Sequence, residues 1–372
     1  MSQDAPISIV HVLAPAPFGG METVVETLAA GQQEAGDAVR VVAILSPGDP
    51  EPHPFLDALE SRGVGVDAFR LGGRDYRGER RAVRDVIRAS GADVLHTHGY
   101  RPDVVVSGIG RRLGLATAST VHGFTGGGLR NRMYEWLQTR SFRRIGAVVV
   151  VSDAIRERLL EAGVPGSRIS VLRNAWSASS PAVSRAEARD HLGIDHDGPV
   201  AAFVGRLSAE KGPDLFVRAF ASSGERDLRA SVVGDGPMKA ECERLSEELG
   251  VGERMTFHGS VSSVGRYLKA FDVVGLTSWT EGTPMLLLEA MYAEVPLVAT
   301  AVGGVPGVLS DTQAILCPAG DVAEIGRAFD DVITDRSGAS TRAAAARSRL
   351  ERDFAVEPWV DRYRSLYLGP NG

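Results

Sequence analysis

Two glutamates separated by seven residues, Glu281 and Glu289, frame the segment with the plainest chemical content, Trp279-Thr280-Glu281-Gly282-Thr283-Pro284-Met285-Leu286-Leu287-Leu288-Glu289. It follows an apolar, β-branched run ending at Leu276. Thr283 suits a helix N-cap and Pro284 the first helical position, so a helix is expected to begin there with unpaired amides at Met285 and Leu286. The positive end of such a helix attracts phosphate. Glu289, four residues past Met285, belongs on the same helical face one turn deeper, with Glu281 in the loop ahead. Carboxylates beside a phosphate would repel it, so their work there is to accept hydrogen bonds from neutral sugar hydroxyls. Taken singly, Glu281 reads more simply as a solvated carboxylate and Glu289 as one paired with a surface arginine.

The second signal is Phe203-Val204-Gly205-Arg206-Leu207-Ser208-Ala209-Glu210-Lys211-Gly212, a strand end followed by a loop with two cations. A departing diphosphate gains negative charge as its bond breaks, and preorganised cations at that point lower the barrier. Lys211 is one of three lysines beside 38 arginines, which sets its use here apart from compositional drift. A solvated pair is the commoner fate of surface Arg and Lys. Arg206, Lys211, Glu281 and Glu289 together make an anion-plus-polyol constellation at strand ends.

These residues need elements to position them. Short β-branched runs, such as Ile7 to Leu13 and Val39 to Leu45, alternate with amphipathic segments such as Glu22 to Ala35 and Glu79 to Ala89. Strand followed by helix, repeated, means parallel βαβ units. The alternation pauses at 174–199 and begins again at Val200 to Val204. At 372 residues the chain is longer than one core usually organises. The expected architecture is α/β: a doubly wound domain over 1–176, an interdomain stretch over 177–198, a second doubly wound domain over 199–354 and a closing helix and tail over 355–372. Ligands of such sheets bind at the carboxyl ends of the strands, and a cleft between the domains is expected.

The order and spacing of several short segments add to this. They are Gly19-Gly20-Met21-Glu22, Thr120-Val121-His122-Gly123-Phe124, Val150-Val151-Ser152, Arg173-Asn174, Gly205-Arg206 with Lys211-Gly212, Val233-Gly234-Asp235-Gly236-Pro237, Phe257-His258-Gly259 and the two glutamates. Over nearly its whole length the chain resembles glycosyltransferase family 4, retaining enzymes of the GT-B fold, two Rossmann-like domains facing across a cleft. The resemblance implies that Arg206 and Lys211, with Gly205 beside them, bind the diphosphate of a nucleotide-sugar donor. It implies that Glu281 holds donor-sugar hydroxyls, that Glu289 takes the ribose hydroxyls, and that the backbone through Gly282, Thr283, Met285 and Leu286 completes the phosphate site. His122 corresponds to the family histidine near the transferred sugar. Gly19 and Gly20 let the first loop approach donor and acceptor closely, and Asn174 holds the family's interdomain position. Ala175 replaces the glycine often found after that asparagine, and Met285 stands where many relatives carry Asn or another residue. In this family a donor phosphate oxygen takes the acceptor proton, so the resemblance implies neither a protein base nor a metal nor a cofactor. The nucleotide sugar, with uracil the commonest base among relatives, is a substrate. Transfer of a hexose-type sugar to a hydroxyl acceptor in polysaccharide, glycolipid or glycoconjugate biosynthesis is the implied activity.

Other features weigh on the alternatives. Asp195-His196-Asp197 superficially matches the metal signature of the other glycosyltransferase fold, but before Gly198-Pro199 it reads as a turn. His96 and His98 alternate on one strand face without a carboxylate or cysteine at hand, an incomplete metal site. The first βα loop lacks a dinucleotide fingerprint, which counts against an NAD enzyme. A sugar-nucleotide epimerase on the same fold would need acid/base groups that cannot be placed. A phosphorylase would need a pyridoxal phosphate lysine from Lys239 or Lys269, both in helical surface patterns. A non-catalytic sugar-nucleotide-binding module remains open. The net charge of −6 argues against nucleic acid as a partner, while the half through Ser177 is net positive. In 129–145, Met133, Trp136, Leu137 and Phe142 accompany Arg130, Arg132, Arg140, Arg143 and Arg144. A core-packed helix with a solvated basic face is the favoured reading, and docking on an anionic membrane bearing a lipid-linked acceptor is the alternative. No leader or spanning segment is read, and Cys242 and Cys317 read as reduced structural residues. The expected location is the cytoplasm, with peripheral contact at the inner face of the membrane under the docking alternative.

Overall fold

The apolar runs become parallel strands in two sheets. β1 (Ser8–Leu13), β2 (Ala38–Leu45), β3 (Gly65–Arg70), β4 (Val94–His98), β5 (Ala116–Val121), β6 (Ala147–Val150) and β7 (Ile169–Val171) pair in the order β3-β2-β1-β4-β5-β6-β7. β8 (Val200–Val204), β9 (Arg229–Val233), β10 (Met255–Gly259), β11 (Val273–Leu276), β12 (Leu297–Thr300) and β13 (Ile315–Cys317) pair in the order β10-β9-β8-β11-β12-β13. The computed structural model describes residues 5–17, 19–123, 129–177 and 181–369, with side chains in the helix Leu129–Phe142 described from Met133 onward.

Helices cover both faces of such sheets, so central strands need no polar alternation. β8, Val-Ala-Ala-Phe-Val, is buried at every position. β4 is just as buried although it carries His96, Thr97 and His98, and buried polar groups must find partners. The strand order reverses beside β1 and beside β8, where β4 and β11 pair on the far side. Loops leaving neighbouring strands there run to opposite faces and open a crevice. In the first sheet the loops leaving β1 and β5 carry Gly19 and His122, and His98 is the last residue of β4. In the second, the loops leaving β8 and β11 carry Gly205 to Gly212 and Thr277 to Pro284.

The chain divides into two compact units, one running to Ser177 and resuming at Phe354, the other Ala178–Asp353. The stretch 177–198, expected as a linker, therefore belongs almost wholly to the second unit. Its helix Arg185–Leu192 opens on a reciprocal capping box between Ser184 and Glu187. Asp272, at the foot of β11, accepts from Arg185 (2.9 Å), Arg189 (3.3 Å), Arg336 (2.6 Å) and the Val200 amide (2.9 Å). Burial alone would raise the Asp272 carboxyl; the hydrogen bonds from Arg185, Arg336 and Val200 outweigh it and hold the carboxyl below its ordinary value. That knot, not chain composition, decides which unit the segment joins.

The final helix Val356–Leu368 packs back on the first unit and buries Trp359, Val360, Tyr363 and Tyr367. It lies so close to the helix Gly20–Glu34 that a Cβ on Gly31 would come within 2.7 Å of Val356 and 2.9 Å of Val360. The helix Leu129–Phe142 departs from its expected amphipathic arrangement. Phe142 and Gln138 face inward, Gln138 donating to the buried Asp103 at 2.8 Å, whereas Met133 and Trp136 are exposed. The apolar residues are thus divided between core and solvent, and the core-packed reading holds only for its inner edge. Cys242 and Cys317 are buried free thiols.

Candidate active site

In the second unit, glycines let the loops of β8 and β11 close on each other. Gly212 has φ +61°, and a Cβ there would lie 2.3 Å from the Thr277 carbonyl oxygen, while the Thr277 hydroxyl donates to the Gly212 carbonyl at 2.8 Å. The Trp279 amide donates to the Glu210 carbonyl at 2.9 Å. Gly205 is pressed in the same way against Gly234, whose Cβ would lie 1.9 Å from the Gly205 oxygen. This weld brings Lys211 and Glu281 together: the Nζ sits 2.8 Å from each carboxylate oxygen. Ser278 donates a further hydrogen bond to Oε1 at 2.6 Å. The backbone of Glu281 is held from behind, its carbonyl accepting from Gly304 at 3.0 Å with Gly303, φ +51°, too close to carry a side chain. Arg206 is exposed and makes no ion pair among the described residues.

The helix after this loop is Met285–Ala293, and its N-cap is Pro284 with no side-chain hydrogen bond. The expected Thr283 cap with Pro284 at the first helical position is thus displaced by one residue. Pro284 adopts an extended conformation (φ −69°, ψ 117°), so the chain turns helical only after it. Gly282 and Leu286 are half-buried, while Thr283 and Met285 are buried around this turn. Glu289 lies one turn in, as the spacing predicts, but among the described residues it has no arginine partner such as the simpler reading gives it. Although half-buried, it is desolvated enough to raise its carboxyl to about 7. Gly265 backs onto it, leaving 3.1 Å between a would-be Cβ and the carboxyl carbon.

The first unit holds the remaining candidates. Gly20 starts the helix Gly20–Glu34, with Gly19 as its cap. The space beside Gly19 is taken by Glu22, whose Oε2 would lie 2.3 Å from a Cβ there and whose Oε1 accepts from the Ala16 amide at 2.7 Å. A Cβ on Gly19 would therefore have to push the Glu22 carboxylate aside, an approach not readable from the Gly-Gly pair. Burial raises the Glu22 carboxyl above its ordinary value against the lowering effect of these amide bonds. His122 follows β5, its Nε2 3.2 Å from His98 Nδ1, and desolvation lowers it to about 4, so the ring is neutral. Its Nδ1 is buried with no partner among the described residues. Asn174 is buried beside Ala175, past the end of β7. Surface hollows of 410 Å³ beside Arg40 and Asp67 and of 370 Å³ beside Arg185 and Asp272 include none of these residues. The Asp195-His196-Asp197 stretch is loop, with the His196 carbonyl accepting from Arg189 at 2.7 Å.

Cations, a helix N-terminus and two carboxylates thus lie on the loops and helix that follow β8 and β11 at the strand-order reversal of a doubly wound sheet, groups whose chemistry suits an anionic, hydroxyl-rich ligand. The model described as "Glycosyltransferase Family 4" matches residues 18–177, and that described as "Glycosyl transferases group 1" matches 184–349. The chain belongs to this glycosyltransferase family. It is 29% identical over 211 residues to an alpha-D-kanosaminyltransferase of Streptomyces kanamyceticus, with 54% of each chain covered. It is 24% identical over 291 residues to a UDP-Gal:alpha-D-GlcNAc-diphosphoundecaprenol alpha-1,3-galactosyltransferase of Escherichia coli, with 74% of this chain and 75% of that one covered. The first of these matches thus spans about half of its relative's length. Among solved structures, Anabaena HepE in complex with UDP and glucose superposes with a TM-score of 0.82 at 19% identity, over 96% of this chain and 98% of that one. The fold is accordingly GT-B.

The raised Glu289 carboxyl has a cost. Between its ordinary value of 4.5 and about 7 the native state holds a proton that the unfolded chain has released, so this group's contribution to stability falls as pH rises through that window. Glu289→Gln is expected to stabilise the protein at pH 8 by roughly 1–3 kcal/mol and to be neutral near pH 4.5. Chemical denaturation midpoints at the two pH values measure this, and an equal effect at both would show that the carboxyl is not strained by burial.

Proposed function

We propose that the chain transfers a hexose-type sugar, with retention and without a metal, from a nucleoside diphosphate, UDP above all, to an acceptor hydroxyl. The Lys211–Glu281 pair carries this reading. Each member occupies the other's hydrogen-bonding capacity while no donor is bound. When a diphosphate sits at Arg206 and the helix N-terminus, Lys211 turns to the phosphate and Glu281 is released to accept from sugar hydroxyls. The bond from the anomeric carbon to the β-phosphate oxygen breaks with its electron pair left on the diphosphate, where Arg206 and Lys211 stabilise the growing charge. The acceptor oxygen bonds to the anomeric carbon on the face being vacated, and its proton passes to a phosphate oxygen. Glu289, desolvated and with no ion-pair partner among the described residues, is suited to accept from the two ribose hydroxyls. A galactosyltransferase named for UDP-Gal and HepE holding UDP and glucose support the donor class.

One observation favours peripheral membrane contact with a lipid-linked acceptor: Met133 and Trp136 are exposed beside exposed Arg140, whose guanidinium lies 5.9 Å from the Trp136 ring. Apolar side chains among arginines suit an anionic interface. The acceptor named for the Escherichia coli relative, a diphosphoundecaprenol, supports the same reading. Met133→Ser with Trp136→Ser should reduce co-sedimentation with phosphatidylglycerol vesicles at low salt several-fold, with added salt weakening the wild-type interaction. Equal binding to neutral vesicles, or none to either, refutes the contact.

The two glutamates should separate kinetically. Ribose contacts form in both ground and transition states, so Glu289→Ala should mainly weaken nucleoside diphosphate binding. The sugar ring gains positive charge during transfer, so Glu281→Gln should lower turnover by about ten- to a hundredfold, the worth of one charge-assisted hydrogen bond, with a smaller effect on nucleotide affinity. Calorimetric affinity for UDP beside transfer rates in EDTA, over a panel of UDP-sugars, measures both. Loss of UDP affinity in Glu281→Gln but not in Glu289→Ala reverses the assignment, and a rate abolished by EDTA and restored by magnesium removes the metal-free mechanism.

A further inference from the structure

Behind His122 lies a buried chain of polar groups that the transfer chemistry does not use. His122 Nε2 is 3.2 Å from His98 Nδ1, His98 Nε2 is 2.9 Å from His11 Nδ1, and His11 Nε2 is 2.7 Å from Gln32 Oε1. Gln32 Nε2 donates to the Tyr367 hydroxyl at 3.0 Å. That hydroxyl is 2.8 Å from His96 Nδ1, His96 Nε2 is 2.8 Å from Thr120 Oγ1, and Thr120 meets the Tyr363 hydroxyl at 3.0 Å. Gln32, His11, His96, His98 and Thr120 are all at most 1% exposed. Two helices far apart in sequence, Gly20–Glu34 and Val356–Leu368, supply Gln32 and the tyrosines.

We propose that this chain is a directional relay which holds His122 in the Nε2–H tautomer, with Gln32 setting the direction and His11 and His98 carrying it as positioning residues. A neutral imidazole has one N–H and one bare nitrogen, so the direction of one link dictates the next. Hydroxyls can point either way, but the Gln32 amide has chemically distinct ends: its oxygen only accepts and its nitrogen only donates. With Oε1 toward His11, His11 must carry its proton on Nε2 and accept at Nδ1 from His98 Nε2–H. His98 then accepts at Nδ1 from His122 Nε2–H. Nδ1 of His122 is left as a bare acceptor, in keeping with its lack of a partner among the described residues. On the other side, Gln32 donates to Tyr367, which donates to His96 Nδ1, and His96 donates from Nε2 to Thr120.

A proton added to the bare nitrogen of His11 or His98 would set two donors against each other. Burial opposes that: desolvation lowers His11 to about 4, and desolvation with neighbouring imidazoles holds His96 and His98 well below their ordinary range. His11, His96 and His98 also bring ring nitrogens within 4.8 Å of one another, the spacing of a metal cluster. Every one of those nitrogens is engaged in the relay and no carboxylate joins them among the described residues, so the relay is the fuller account of the cluster.

The functional weight of the relay rests on the reading that His122 sits near the transferred sugar; its existence does not. The test is ring-nitrogen NMR of the full chain labelled with ¹⁵N-histidine, with the His122 signals assigned by their absence in His122→Ala. The wild type should show protonated Nε2 and bare Nδ1 at His122. Gln32→Leu, which removes the direction-setting amide without touching substrate, should give a mixture of tautomers and lower turnover about three- to tenfold, with KM for the donor little changed, as expected for one lost hydrogen bond. Tyr367→Phe, which frees the amide to turn over, should give a smaller shift in the same direction. A proton on His122 Nδ1 in the wild type, or an unchanged tautomer in both folded variants, overturns the relay. If Gln32→Leu does not fold, the wild-type spectrum and Tyr367→Phe decide. Full turnover in His122→Ala would remove His122 from the reaction centre while leaving the tautomer measurement to judge the relay.

Discussion

A parallel strand covered by helices on both faces can offer chemistry only at its ends. Each candidate side chain follows from that constraint. β8 and β11 pair in the middle of the second sheet, and the loops leaving their carboxyl ends are the ones that carry Arg206, Lys211 and Glu281. Their separation in sequence is large, yet the fold leaves them no other place to go. Glycines then set how tightly the loops close. Gly212 against Thr277 and Gly303 against Glu281 are approaches that a Cβ would forbid, and without them the lysine and the carboxylate would not share two 2.8 Å contacts.

The electrostatics of the two units differ in kind. In the second, charged groups stand ready: Arg206 is solvated, Lys211 and Glu281 satisfy each other, and Glu289 is held at a cost to stability. A fold that keeps a carboxylate desolvated at such a cost gives up stability that a hydrogen-bonding ligand there would restore. Asp272 shows the contrast, since its three arginines and a backbone amide leave nothing unsatisfied and its role is to tie a helix to the sheet. In the first unit the buried histidines and their amide and hydroxyl partners are neutral and linked, so the effect of burial on them is to fix hydrogen-bond direction and not charge.

That neutral network explains why the chain returns to its first unit at Phe354. The closing helix covers apolar surface with Trp359 and Val360 and also supplies Tyr363 and Tyr367, the hydroxyl partners of Thr120, His96 and Gln32. Without those phenols, polar atoms in strands buried on both faces would lose their partners, at about 1–3 kcal/mol each.

Much of this was legible in the sequence, because the signals concerned are local. Alternating β-branched runs and amphipathic segments dictate parallel βαβ units, since the periodicity of burial is written in consecutive residues. The spacing of Glu281 and Glu289 around Pro284 places one carboxylate before a helix and one a turn inside it whatever the rest of the chain does. Partners were another matter. That Lys211 meets Glu281, that Glu289 meets no arginine among the described residues, that Glu22 fills the space beside Gly19, and that His11 and Gln32 complete what His96 and His98 begin all depend on side chains brought together by the fold. The cap lies at Pro284 and not Thr283 because Pro284 itself is extended, in a turn whose Glu281 carbonyl is held by Gly304 from more than twenty residues on. The segment 177–198 and the closing helix were assigned by burial and ion pairing at Asp272 and Gly31, contacts that no window of the sequence contains. Local propensity thus determined the elements and the chemistry they carry; only tertiary packing decided which groups are paired, which are desolvated and which are left open, because desolvation and pairing are properties of what surrounds a group in space.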